Sequence, residues 1–176
     1  MDTRELIHTA LLVAVCVALG YVLAAVPNVE LISAAIFTAG VLKGVRRGAL
    51  VGGLAELIYA GLNPYGFAPL PLLVSQVLGM TGIGAAGGVF ARHPARLSAV
   101  QQAVLAGACG FVLTLFYDVL TNSAGYLLVR ESAPYVGYLV AGLSFPFPLA
   151  HAAGNVASFA LVVPGVRRAY RRWSPV

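Results

Sequence analysis

Three ionisable side chains fall inside long apolar stretches of this chain: Glu56, Asp118 and His151. At the centre of a bilayer each costs about 2–3 kcal/mol or more, so each has to face a bundle interior or a cavity. Each also has polar company at helical spacing. Glu56 is followed at i+3 by Tyr59 and at i+7 by Asn63, and Asp118 by Thr121 and Asn122. His151 is followed at i+4 by Asn155 and at i+7 by Ser158, and Gln76 adds a further polar group. Side chains of these types suit two kinds of work. They hydrogen-bond one another and hold helices together, or they line a pocket for a polar ligand, the default for ionisable groups within a membrane. The candidate ligand-binding residues are therefore Glu56, Tyr59, Asn63, Gln76, Asp118, Asn122, His151 and Asn155. Glu30, at the outer end of an apolar segment, reads as solvated, as do His8 and Arg130.

Other chemistry lacks its signatures. Lys43 is the only lysine and is followed by Gly44, so there is no GK[ST] phosphate loop, and HExxH, GxSxG and CxxC are absent. Cys16 and Cys109 lie inside apolar segments and read as small packing residues, not a metal or redox pair. The expectation is a protein that is not an enzyme and has no catalytic residues, metal or cofactor. Active transport would draw on an ion gradient or on partner subunits.

The elements that position these residues are apolar helices. The composition is 60% hydrophobic and 10% charged, with a mean hydropathy of +0.88, too apolar for the surface of a soluble domain. Six apolar segments are read at about 6–26, 30–43, 48–61, 71–91, 99–128 and 136–166. They predict an all-α integral membrane protein, a single transmembrane domain over residues 1–176 built as a six-transmembrane-helix bundle. The second and third segments are short for a full span, and Lys43–Gly48 forms a basic hairpin between them. The last two segments are long enough to tilt or protrude. The first, about 20 apolar residues without a basic leader, reads as a span and not as a cleaved signal.

The net charge of +5 is explained by topology and not by nucleic acid. Arg4, Lys43, Arg46, Arg47, Arg92, Arg96, Arg167, Arg168, Arg171 and Arg172 fall on one side if six helices are right, and Arg130 alone on the other. Both termini are then cytoplasmic. Tyr170 and Trp173 mark the inner interface, and Tyr65, Tyr135 and Tyr138 the outer one. Glu56, Gln76 and Asp118 share the outer half of the bilayer, while His151 and Asn155 lie nearer mid-depth as a floor. Above them the stretch 61–71, with three prolines and two glycines, is either a rigid apolar lid or an ordinary interfacial turn. Gly48, Gly52, Gly53, Gly79, Gly82, Gly84, Gly87 and Gly88 indicate tight helix packing, and Ala10, Ala14 and Ala18 form a small-residue stripe. On spacing alone that stripe reads as internal packing within the bundle.

Taken together these features resemble the substrate-binding S components of energy-coupling-factor (ECF) vitamin transporters. The resemblance covers nearly the whole chain. It is carried by the helix number in so short a chain, the Ala10–Ala14–Ala18 stripe, Pro27-Asn28-Val29-Glu30 and Gly48-Ala49-Leu50-Val51-Gly52. Asn63-Pro64-Tyr65-Gly66 with Pro69-Leu70-Pro71, Tyr117-Asp118, and His151 with Asn155 add to it. The resemblance implies a bacterial cell-membrane subunit that captures a vitamin or related micronutrient from outside. It implies docking through Ala10, Ala14 and Ala18 onto a transmembrane scaffold subunit shared with two ATPases, and release inside by toppling. It also implies gating by outer loops. The first loop here is only about Val26 to Asn28, so gating would rest on Asn63, Pro64 and Tyr65. The side-chain types suit a polar aromatic ring with hydrogen-bond donors or a cationic amine. Two rival readings stand beside this one: a membrane scaffold of the rod-shape-determining MreD type, which needs no cavity, and a small ion-coupled solo transporter using Glu56 or Asp118.

Overall fold

The computed structural model describes residues 2–26, 29–63, 66–92, 97–129, 134–143 and 147–173. All its regular structure is helical: α1 (Thr3–Val22), α2 (Ile32–Lys43), α3 (Val45–Gly61), α4 (Leu70–Phe90), α5 (Ala99–Val129), α6 (Tyr135–Gly142) and α7 (Phe147–Trp173). Four of these, α1, α4, α5 and α7, are long and apolar enough to cross a membrane, as a multi-pass membrane protein requires. The outward faces are apolar too, with Leu6, Leu62, Leu70, Val100, Val104 and Leu161 all exposed. In water such a surface would associate; in lipid it is the solvated one.

Local chemistry sets the helix ends. Asp2 caps α1 by accepting the Glu5 N–H at 2.7 Å, so the helix starts ahead of the expected residue 6. Between α2 and α3 the chain reverses at one residue, Gly44, whose φ of 84° is open to glycine and costly for a side chain. Arg46 and Arg47 therefore lie in the first turn of α3 and not in a hairpin loop. The expected sixth segment is two helices. α6 ends at Gly142 and α7 begins at Phe147, either side of Pro146 and with Pro148 at the second position of α7. Pro148 suits a first turn, where the N–H it lacks would have no partner within the helix, so it favours a helix start there. α7 then runs beyond the expected end at 166 and carries Arg167, Arg168, Tyr170, Arg171 and Arg172 on its last turns.

The tightest packing joins α2, α3 and α4. A Cβ added to Gly84 would strike the Gly48 carbonyl oxygen, and one on Gly40 or Gly48 would strike the Gly84 carbonyl. The backbones touch there, as the glycine-rich sequence of α3 and α4 implied. Phe37 of α2 fills the middle of the bundle, with ring centroids 5.3 Å from Phe90 and 5.0 Å from Phe159, among Ile36, Met80, Ile83 and Val163. α5 pairs with α7, and α6 rests on α5 through Tyr126, whose ring lies 5.2 Å from Tyr135 and 5.4 Å from Tyr138.

One end of the bundle is basic. Arg47 pairs with Glu5 at the start of α1, and a cavity of about 650 Å³ is lined by Lys43, Arg46, Arg47 and Arg92. Arg167 reaches the Ala91 carbonyl at 3.5 Å, with its guanidinium 5.9 Å from the Phe90 ring centroid. Arg96 and Arg130, and the Trp173 side chain, lie outside the described residues.

Candidate functional site

Polar residues from five elements meet toward the end of the bundle opposite the basic one. His151, near the start of α7, is their centre. Its Nδ1 lies 2.8 Å from Asp118 Oδ1 on α5, and its Nε2 lies 3.3 Å from Glu30 Oε1, just ahead of α2. With a carboxylate oxygen at each ring nitrogen, only the doubly protonated imidazole donates to both. One turn along α7, Asn155 donates its Nδ2 to the same Glu30 oxygen at 3.3 Å, and the Ser33 hydroxyl donates to it as well. The Glu30 carboxylate thereby ties α2 to α7, and His151 carries the link on to α5.

A second layer lies behind. Glu56 on α3 is only 1% exposed, and the Tyr117 hydroxyl of α5 stands between its carboxylate and the Gln76 amide of α4. Glu30 is near enough to Glu56 for the two carboxylates to repel. The Tyr117 ring fits because α4 has glycine opposite it: a Cβ on Gly79 would lie 2.6 Å from the Tyr117 ring. Side-chain hydroxyls and amides on α5 turn back on their own helix. Thr121 donates to the Tyr117 carbonyl at 3.0 Å, and Asn122 to the Asp118 carbonyl at 2.8 Å.

These groups wall a cavity of about 310 Å³ lined by Leu72, Gln76, Tyr117, Asp118, Thr121, Asn122, Gly142, Pro148 and His151. Three buried oxygens around it have no hydrogen-bond partner: Glu56 Oε2, Gln76 Oε1 and Asp118 Oδ2. Buried polar atoms are nearly always paired, and an orphan costs about 1–3 kcal/mol. Orphans gathered from three helices around one cavity point to a missing binding partner. Among the described residues no three His, Cys, Asp or Glu side chains are grouped to hold a metal ion.

Comparison with protein-family models, with curated proteins and with solved structures gives no match. The site is therefore read from its own geometry.

Of the candidate residues, Gln76, Asp118, Asn122 and His151 line the cavity, and Glu56 and Asn155 stand directly behind it. Tyr59 is not among the described lining residues. Its ring packs on Tyr21, with centroids 4.9 Å apart, and its carbonyl accepts the Tyr21 hydroxyl at 3.1 Å. Asn63 is not among them either; its carbonyl accepts the Gly66 N–H at 3.1 Å. Pro64 and Tyr65, expected to gate, lie outside the described residues, as do Pro27 and Asn28. The described part of the stretch 61–71 does not line the cavity, whose rim is Leu72, Gly142 and Pro148.

Three expectations need correction. Glu30 is only partly exposed and has internal partners: it accepts hydrogen bonds from Ser33, His151 and Asn155. Its neighbours Val29, Leu31 and Ile32 are apolar, and a charge in such company needs an internal partner. His151 is no floor beneath Asp118 but bonds to it side by side, because the sixth segment starts only at Phe147 and brings His151 close to its beginning. The Ala10, Ala14 and Ala18 stripe is not internal. All three alanines are exposed and line an outer apolar groove of about 600 Å³ between α1 and α3, with Leu50, Leu54 and Ile58 opposite. Tyr117, like Glu30 and Ser33, is a site residue missed from spacing, because a tyrosine in an apolar helix gives the same pattern whether it packs or binds.

Proposed function

We propose that this chain is the substrate-capture subunit of an ATP-driven ECF importer in the bacterial cell membrane, binding a vitamin or related micronutrient from outside. The observation that carries the reading is the cavity beside His151, walled by polar groups that include unpartnered oxygens on α4 and α5, with that of Glu56 on α3 behind them. A purely structural scaffold gains nothing from such groups, since apolar side chains would fill the same space at no desolvation cost. In this reading α1–α5 and α7 make six crossings, with α2 and α3 short and α2 largely buried, and α6 lies at the outer interface. The basic end faces the cytoplasm, as retained Lys and Arg do, and both termini lie there. The exposed alanine stripe supports docking on a scaffold subunit, because small residues let helix backbones approach closely in lipid. Two ATPase subunits bound to that scaffold supply the energy, and the capture subunit topples to release its substrate inside.

The test is mass spectrometry of small molecules that copurify with the full chain in detergent. One polar compound should be enriched with the parent protein and lost with Asp118→Ala. Folded protein that carries no enriched compound from any growth medium refutes the capture role.

A further inference from the structure

The hydrogen-bonding inventory of the cavity is lopsided. Its donors are already engaged within the protein: His151 to Asp118 and Glu30, Asn155 and Ser33 to Glu30, Asn122 and Thr121 to the α5 backbone. The buried side-chain atoms left with no partner at all are oxygens, Gln76 Oε1, Asp118 Oδ2 and, behind Tyr117, Glu56 Oε2. Asp118 is 8% exposed and Glu56 1%. The charge is lopsided in the same sense. Glu30 and Asp118 contribute carboxylates, and among the described residues His151 is their one cationic partner and no Lys or Arg lines the cavity.

We infer that the site takes a small organic cation that donates N–H groups to Asp118 and Gln76, such as a protonated amine or amidine on a flat ring. The inference rests on the reading of this cavity as a ligand site and names the class of ligand. Carboxylate and amide oxygens on neighbouring helices α5 and α4 receive a planar pair of N–H donors, a charge-assisted arrangement that is stronger than a neutral one. The Tyr117 ring on the same wall offers a π-face to the cation. Glu30 adds negative field from behind, where it bonds His151 Nε2. Size sets a limit as well: about 310 Å³ holds on the order of ten water volumes, so the cation is small. An anionic carboxylate or phosphate ligand would meet the unpaired oxygens and the Asp118 carboxylate, and is disfavoured on both counts.

Three isosteric probes test this: benzamidinium, benzamide and benzoate, added at millimolar concentration to the full-length protein in detergent. Thermal unfolding and equilibrium binding are followed. Benzamidinium should raise the unfolding temperature and benzoate should not, with benzamide weaker than the cation. Asp118→Asn should lower benzamidinium affinity by about tenfold or more, the equivalent of one charge-assisted hydrogen bond. Gln76→Leu, on a different helix and without a charge to lose, should weaken it too and serves if Asp118→Asn misfolds. Stronger stabilisation by benzoate or benzamide overturns the cation class while leaving the cavity a ligand site. Unchanged benzamidinium affinity in both variants overturns the assignment of Asp118 and Gln76. If none of the probes binds, both the class and the ligand-site reading fall.

Discussion

Replacing His151 with alanine removes the group that touches both Glu30 and Asp118, and two estimates of the cost compete. Counted as two hydrogen bonds, at about 0.6 kcal/mol each inside membrane proteins, the loss is roughly 1.2 kcal/mol. Counted as stripping the counter-ion from buried carboxylates, it is about 3–5 kcal/mol. The geometry favours the larger figure. Both ring nitrogens face carboxylate oxygens, at 2.8 and 3.3 Å, and Asp118 already has one orphan oxygen. His151→Ala should therefore cost about 3 kcal/mol or more in denaturant unfolding of the full chain in detergent, followed by circular dichroism. Adding Glu30→Gln and Asp118→Asn to the same background removes the uncompensated charge. That combination should recover part of the loss, with a coupling of about 0.5–3 kcal/mol. A cost near 1 kcal/mol that neutralising both acids does not relieve would show that His151 is an ordinary hydrogen-bonding residue, and the electrostatic account of the site would fail.

The remaining predictions concern topology, docking and packing. Single cysteines at Arg47 and Arg172 should resist an impermeant thiol reagent in intact cells, while one at Ala68 reacts; labelling at Arg47 from outside reverses the proposed orientation. Ala14→Trp, on an exposed face, should leave folding and ligand retention intact and abolish copurification with a coexpressed ECF scaffold; a misfolded variant means the stripe packs internally after all. Gly84→Ala drives a methyl into the Gly48 carbonyl and should cost about 1–3 kcal/mol or prevent folding. Gly82→Ala is its control, since a Cβ there meets only Phe116 at 3.6 Å and should be tolerated.

Helical class and membrane character were legible because hydrocarbon imposes a single rule, apolar surface over paired backbone, and composition reports it directly. The break between α6 and α7 was visible only as Pro146 and Pro148, and a proline inside an apolar run does not say whether the helix kinks or stops. Pro164 is a case in point, since it sits inside an unbroken α7. Glu56, Gln76, Asp118 and His151 stood out because burial of a polar group in an apolar helix is costly and rarely idle. Glu30 did not stand out. It belongs to a loop end, and whether a loop end is wet depends on which helix packs over it, here α7 from far along the chain. The alanine stripe shows the converse: small residues report close approach without saying whether the partner is in the same chain.

The site also sits between two groups of helices. α2, α3 and α4 form one body in which glycines let backbones touch, and α5 with α7 forms a second pair. Glu30, Glu56 and Gln76 belong to the first body, and Asp118, His151 and Asn155 to the second. Glycine contacts that are fixed by backbone atoms cannot slide, so any change in the width of the cavity has to come at the seam between the two bodies. The bonds from His151 and Asn155 to Glu30 cross that seam at 3.3 Å each, longer than the 2.8 Å bond from His151 to Asp118 within the second body. A ligand that donated to Gln76 on one side and to Asp118 on the other would add bonds across the same seam and draw it together. Binding and rigidity are then coupled through the same residues, and the orphan oxygens are the reserve from which that coupling is drawn.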